Sequence, residues 1–201
     1  MDRAALSAAL AAYVPKGDAE SASLERLRTF VAGPDDPFDR ATPEGHVTGS
    51  AVVARPDGSE FLLVLHRKLS KWLQPGGHTE ESDASVFDTA LREALEETGI
   101  ARLDAPFRQA ILDVDVHAIP ARGKDPAHSH FDVRYLFVTR DEARPEASED
   151  PTRPLRWVSL EDAVALGVDA SLERALRKAR LLLTPSPRGG GSRPPKTDPQ
   201  Q

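Results

Sequence analysis

Hydrophobic residues alternate or recur at helical spacing along most of the chain, and this pattern divides it into elements. Period-two or continuous apolar runs predict strands, and apolar residues at i, i+3, i+4 and i+7 predict amphipathic helices. The predicted strands are 46–54, 60–67, 111–117, 129–138 and 156–158. The predicted helices are two within 1–32, one over 85–98, one from 159 and one over 171–183. Helices and strands in this mixed order favour an α+β fold or an α/β/α sandwich.

Breaks in the pattern predict three parts of the chain. A Gly-Pro-Asp-Asp-Pro segment at 33–37 ends the first two helices, so residues 1–40 are expected to be an N-terminal helical extension. Residues 41–183 are expected to form the main domain. Residues 184–201 are rich in Pro and Gly and contain no apolar side chain that could anchor them, which predicts a disordered tail.

Composition narrows the class of protein. Of the 201 residues, 39% are hydrophobic and 29% charged, which is typical of a globular protein, and no apolar run is long enough for a membrane span. The formal charge of −6 argues against stable nucleic-acid binding, although a phosphorylated small molecule remains a suitable partner. The chain has no cysteine, which excludes disulfides and thiolate sites. The alanine-rich N-terminus is interpreted as an amphipathic helix of a cytoplasmic protein.

Three carboxylates share one face of the predicted helix 85–98. Glu93, Glu96 and Glu97 stand at i, i+3 and i+4, which places them within an arc of about 100°. Such a group is self-repelling unless a cation lies among the oxygens, and hard divalent ions prefer carboxylate ligands. The alternative is a solvated acidic helix face, which is common.

The residues around these glutamates define the helix ends and add a glycine turn. Ser85 with Asp88 predicts an N-terminal cap, and Gly99 predicts a left-handed C-terminal cap. Arg92 lies four residues before Glu96, at a spacing that allows an ion pair. Ahead of the helix, the Pro-Gly-Gly turn at 75–77 lets the backbone approach a metal or a phosphate closely.

Together these residues resemble the Nudix box, the signature of hydrolases that cleave a nucleoside diphosphate linked to another moiety. The family pattern is G-x5-E-x7-R-E-U-x-E-E-x-G-U, where U is a bulky aliphatic residue. Here the box spans 77–100, with matches at Gly77, Arg92, Glu93, Glu96, Glu97, Gly99 and Ile100. Fourteen residues separate Gly77 from Arg92, one more than in the pattern. We take Asp83 as the equivalent of the early glutamate, with the extra residue absorbed where the loop becomes a helix.

The resemblance implies a Nudix fold, a mixed β-sheet between helices, and hydrolysis that depends on Mg²⁺ or Mn²⁺. It implies Arg92, Glu93, Glu96 and Glu97 as catalytic residues, and Gly77, Glu93, Glu96 and Glu97 as metal ligands. The reaction would be attack of an activated water on phosphorus in a nucleotide or related diphosphate. Glu97, Glu149 and Asp132 are candidates for the general base. The alternative is a regulatory module that senses a nucleotide without cleaving it.

Two further groups of polar residues are candidates for substrate binding. Arg67, Lys68 and Gln74 lie just before the box. Alternation along the predicted strand 129–138 puts His130, Asp132 and Arg134 on one face, opposite a set of core residues. The alternative for this face is solvated surface. His128 and His130 also suit a transition metal, but the sequence offers no third ligand at a convincing spacing.

Overall fold

The computed structural model of the chain describes residues 1–67, 69–121, 123, 126–144 and 148–184. Lys68 and the predicted tail beyond Thr184 lie outside the described residues. The helices are α1 (Arg3–Ala12), α2 (Asp18–Ala32), α3 (Val86–Thr98), α4 (Leu160–Ala165) and α5 (Ala170–Leu183). The strands are β1 (Gly45–Ala54), β2 (Phe61–His66), β3 (Lys71–Leu73), β4 (Gly76–His78), β5 (Ile111–Ile119), β6 (His128–Val138) and β7 (Leu155–Val158).

The strands form one mixed sheet with helices on both faces. The strand order is β3-β2-β1-β6-β5, with β4 also paired to β1 and β7 to β2. Strands β1 and β6 are parallel over their whole length, and the other pairs are antiparallel. Helices α1, α2 and α3 share one hydrophobic cluster with the sheet, whereas α4 and α5 share a second one. This architecture confirms the predicted sandwich of a mixed sheet between helices.

The N-terminal helices are anchored to the main domain by both apolar and charged contacts. Leu10 and Leu24 are buried in the same cluster as the sheet. Glu20 is fully buried and accepts a hydrogen bond of 2.6 Å from Lys178 of α5, which also pairs with Asp113 of β5. Losing one partner of such a buried pair typically costs about 3–5 kcal/mol. The extension is therefore packed onto the sheet and is not a loosely tethered appendage.

The predicted element boundaries agree with the structure within a few residues, but two short strands were not predicted. The turn at 75–77 continues into β4, which pairs with β1. The polar segment after β2 forms β3. In the described part of the chain, no helix has the length and apolar character required to cross a membrane.

Candidate active site

The acidic face of helix α3 is turned away from the sheet. This orientation is set by the caps at the two ends of the helix and by the face that packs on the sheet. The Ser85 hydroxyl accepts a hydrogen bond from the Asp88 amide, and Gly99 ends the helix with a left-handed φ of 63°. Both predicted caps are confirmed. Gly49 of β1 lets the helix pack closely, since a Cβ there would lie 2.6 Å from the Val86 carbonyl oxygen. With Ala90 fully buried against the sheet, the glutamates face outward from the helix.

The backbone of β4 lies directly against two of the predicted metal ligands. A Cβ on Gly77 would lie only 2.4 Å from Oε1 of Glu93, so only glycine permits this approach. The amide of Gly76 donates a 3.2 Å hydrogen bond to Oε2 of Glu97. The glycine turn thus lies against the glutamate helix, although Gly77 and Glu93 are sixteen positions apart in sequence.

Arg92 connects most of the acidic groups of the site. Its guanidinium makes two 3.0 Å hydrogen bonds to the carboxylate of Asp83, and it bonds Glu96 at 2.9 Å and Glu93 at 3.2 Å. Asp83 is 5% exposed and also accepts a hydrogen bond from the Thr89 hydroxyl. This geometry supports Asp83 as the equivalent of the early glutamate of the box, with the extra residue taken up before α3 begins.

Burial makes the charged forms of two box carboxylates unfavourable, in spite of the nearby arginines. Burial, together with the nearby Glu97 carboxylate and against the opposing effect of Arg92, raises the pKa of Glu93 to about 7. Burial also raises the pKa of Glu97, although Arg153 opposes the shift. All the donors are oxygens, which suits a hard divalent ion such as Mg²⁺. The residues present therefore fit the cation that the resemblance implies.

A loop before β7 completes the rim of this site. The Glu149 amide donates a 3.0 Å hydrogen bond to the carbonyl of Glu96, and the Arg153 guanidinium pairs with Glu97. Arg67 donates a hydrogen bond to the carbonyl of Thr152, next to Arg153. This contact places Arg67 next to the loop that carries Arg153, and its substrate-binding role stays a prediction. Arg153 was not predicted, because this contact joins residues 56 positions apart and has no local sequence signal.

The polar face of β6 is occupied by internal contacts, which changes the expected role of three residues. Asp132 is 1% exposed and accepts hydrogen bonds from Thr48, Ser50, Gln74 and Arg134 at distances of 2.8–3.4 Å. Arg134 is 2% exposed and also pairs with Asp113 and Asp115. Both groups satisfy each other within the protein. The geometry therefore favours a supporting role for them, and for the Gln74 amide, over direct contact with a phosphate.

The strand β4 separates this face from the carboxylates. Gly77 pairs with Gly49, on the side of β1 that contacts α3, whereas His78 pairs with Thr48, on the side that contacts Asp132. Directly paired residues point to the same face of a sheet. The box glutamates and the group of His130, Asp132 and Arg134 consequently lie on opposite faces and do not form one continuous site.

Comparison with known structures finds proteins of the same fold. The structure is similar to the Escherichia coli dihydroneopterin triphosphate pyrophosphohydrolase, with a TM-score of 0.52 and 18% identity over 68% of this chain and 95% of that one. It is also similar to a possible asymmetric diadenosine tetraphosphate hydrolase of Jonesia denitrificans, with a TM-score of 0.52 and 20% identity over 66% and 93% of the two chains. At identities of 18% and 20%, the similarity shows that the fold is shared. A search of curated proteins finds no significant match.

The match to a family model covers most of the folded chain. The model of the NUDIX domain matches residues 45–179, which run from β1 into α5 and include the whole of the box. The sheet order, the capped helix α3 and the glycine turn against Glu93 all lie within this range. The chain therefore belongs to the NUDIX domain family.

Proposed function

We propose that the protein is a divalent-cation-dependent hydrolase of a phosphoric anhydride bond in a nucleoside diphosphate derivative. The observation that carries this proposal is the group of box carboxylates held together against a glycine strand. Two of them have raised pKa values, mainly because burial disfavours their charged forms. A protein that only bound a nucleotide would gain nothing from this unfavourable arrangement.

Each residue of the site has a distinct task in this proposal. Glu93, Glu96 and Glu97, with the Gly77 carbonyl, would hold Mg²⁺ or Mn²⁺. Such an ion, when bound, supplies charge neutralisation for a diphosphate and lowers the pKa of a water molecule. Arg92 fixes the orientation of Glu93 and Glu96 by hydrogen bonds.

Positive charge at the rim of the site is suited to bind the phosphate chain. Arg153 pairs with Glu97, and Arg67 bonds the backbone of the same loop. A substrate phosphate arriving there would compete for the Arg153 guanidinium and form charge-assisted hydrogen bonds. We propose that Arg67 keeps the substrate-binding role that the sequence assigned to it, and that Arg153 takes the role that the sequence assigned to Arg134. Lys68, also assigned to this role, lies outside the described residues.

We propose Glu149 as the general base, in preference to Asp132. Glu149 is exposed, and its backbone is fixed next to Glu96 at the end of α3. Asp132 has four protein donors and almost no exposure. A base must come within hydrogen-bond reach of the water that it deprotonates. Glu149→Gln is expected to lower kcat by roughly 10²–10⁴-fold without changing KM greatly.

The experiment that tests the proposal is a panel of nucleotides assayed for phosphate or nucleotide release with and without Mg²⁺. The panel includes dinucleoside polyphosphates, because one similar structure is named for a dinucleoside tetraphosphate. It also includes nucleoside triphosphates and nucleoside diphosphate sugars, which contain the same kind of phosphoric anhydride bond. Cleavage that requires the metal supports the hydrolase. Nucleotide binding without cleavage of any compound would support the regulatory alternative.

A cytoplasmic location is also part of the proposal. Its support is that Leu6 and Leu10 of the alanine-rich N-terminal segment are buried in the core, as expected for a segment of the folded domain. The expected partner is a small nucleotide or related diphosphate.

A further inference from the structure

Five of the six histidines of the chain lie side by side on one face of the sheet. They are His46, His78, His117, His128 and His130, with centroids of neighbouring rings 4.8–5.5 Å apart. This face is the one opposite α3, so the cluster is separate from the box carboxylates.

Three of these histidines bring ligand atoms together from three different strands. A ring nitrogen from each of His46, His78 and His130 lies within 4.8 Å of the other two. His46 of β1 pairs directly with His130 of β6, and His78 of β4 pairs with Thr48, two residues along β1. Strand pairing thus supplies the third ligand that the sequence did not reveal, because β1 pairs with both β4 and β6.

The central histidine of the cluster has no partner for either ring nitrogen. His46 is 3% exposed, and within the described structure neither its Nδ1 nor its Nε2 has a hydrogen-bond partner. Leaving a buried polar group unsatisfied costs about 1–3 kcal/mol. Ring stacking does not satisfy a ring nitrogen, whereas a metal ion or a donor at the centre of the cluster would satisfy one of the two.

The two remaining histidines are held in place by their own contacts, and the three candidate ligands are in the protonation state that suits a metal. Nδ1 of His117 lies 3.2 Å from the Asp115 carboxylate, and Nδ1 of His128 lies 2.9 Å from the Pro126 carbonyl, so both rings are fixed beside the three. Burial and repulsion between neighbours lower the pKa of His46 and His78 to about 4, and that of His130 to about 2. These rings are neutral at pH 7, which is the form that binds metals.

We propose that His46, His78 and His130 form a binding site for a first-row transition-metal ion, with Zn²⁺ as the expected occupant. Imidazole nitrogen suits such ions, whereas Mg²⁺ prefers oxygen. Zinc–nitrogen bonds of about 2.0–2.1 Å place tetrahedral ligand nitrogens roughly 3.3–3.4 Å apart. Side-chain rotation therefore has to draw the rings inward by about 1 Å or somewhat more. The three ligands leave a fourth position for a water molecule.

A metal at this site would also stabilise the box loop. It would join β4, which contains Gly77, to the two central strands β1 and β6. Since the metal binds the folded state and not the separated strands, its binding raises the free energy of unfolding. The site is thus expected to reveal itself both as zinc affinity and as a higher melting temperature.

The test is a Zn²⁺ titration of metal-free protein against a chromophoric chelator, in excess Mg²⁺ to occupy the carboxylates. We expect one tight Zn²⁺ per chain, a melting temperature that rises with Zn²⁺, and intense visible absorption when Co²⁺ replaces it. His78→Ala and His130→Ala should each weaken the Zn²⁺ affinity by more than about 100-fold and abolish the thermal shift, because losing a ligand costs more than losing an outer-shell contact.

Two control variants test whether the zinc affinity comes from the histidine cluster. His66→Gln removes the histidine outside the cluster, and Glu93→Gln/Glu97→Gln removes two box carboxylates; both should retain the zinc affinity of the parent. Near-ultraviolet circular dichroism checks that each variant is folded, and His130→Gln replaces His130→Ala if the latter is not. Unchanged zinc affinity in the folded histidine variants, zinc affinity lost only in the double glutamine variant, or no tight binding by the parent would overturn the proposal. None of these outcomes bears on the hydrolase itself, which is tested by nucleotide cleavage.

Discussion

Replacement of Gly77 by alanine tests the close contact between β4 and α3. The added Cβ would lie 2.4 Å from Oε1 and 2.5 Å from Cδ of Glu93. An ordinary contact begins at 3.4 Å, so the carboxylate has to retreat by about 1 Å. Gly77 lies in an extended strand without a positive φ, so the backbone itself accepts alanine. The end of a flexible side chain yields more readily than backbone, and the fold should survive.

The expected consequence is a loss of activity with little loss of stability. A displacement of about 1 Å in a catalytic group can reduce the rate by about 10²-fold, which corresponds to about 2.7 kcal/mol. The assay is kcat/KM for the best substrate of the panel at saturating Mg²⁺, with the melting temperature of the same sample. Gly33→Ala is the matched control, because the nearest atom to its Cβ is 3.4 Å away and its φ is −86°. An active Gly77→Ala with a normal melting temperature would refute the reasoning, as would an activity loss fully explained by unfolding.

Three further predictions concern charged groups. Glu96→Gln and Glu97→Gln should each lower kcat by about 10²-fold or more at saturating Mg²⁺ while circular dichroism stays native; near-parental kcat in both would remove them from the site. Arg134→Met should cost about 3–5 kcal/mol in urea unfolding because it removes the cation that pairs with the buried Asp132 carboxylate, and a fully stable variant with only a raised KM would restore the substrate-binding role. Despite its burial, hydrogen bonds from Arg92 and other donors lower the pKa of Asp83. The contribution of ionised Asp83 to the free energy of unfolding is therefore complete above about pH 4 and is lost as the pH falls further. Asp83→Asn should accordingly reduce the dependence of the free energy of unfolding on pH in this range.

The local sequence was sufficient to predict the helix of the site and both its caps. The spacing of Val86, Ala90 and Ala94 sets the buried face of α3, and Ser85 and Gly99 set its ends, so no distant contact is needed. The same is true of alternation in β6, where Phe131 and Val133 are buried as predicted.

Contacts between distant segments account for what the sequence did not predict. Asp113 is fully buried among Arg134, Arg174 and Lys178, yet a register shift between Ile111 and Asp113 breaks the alternation that would have indicated its face.

The histidine cluster was foreseen only in part for the same reason. His128 and His130 are neighbours on one strand, whereas His46 and His78 reach them through strand pairing. Strand β4 was taken for a simple turn, because three residues with two glycines carry no strand pattern.

The most direct test of the central claim compares Mg²⁺-dependent cleavage by the parent and by Glu97→Gln under single-turnover conditions in ¹⁸O-labelled water. The account predicts that the parent releases two phosphorylated products, with one labelled oxygen on the phosphorus of one of them, only when Mg²⁺ or Mn²⁺ is present. It also predicts that the folded Glu97→Gln variant has lost most of this turnover. Tight nucleotide binding without cleavage by the parent, or cleavage of equal rate in the variant, would contradict it.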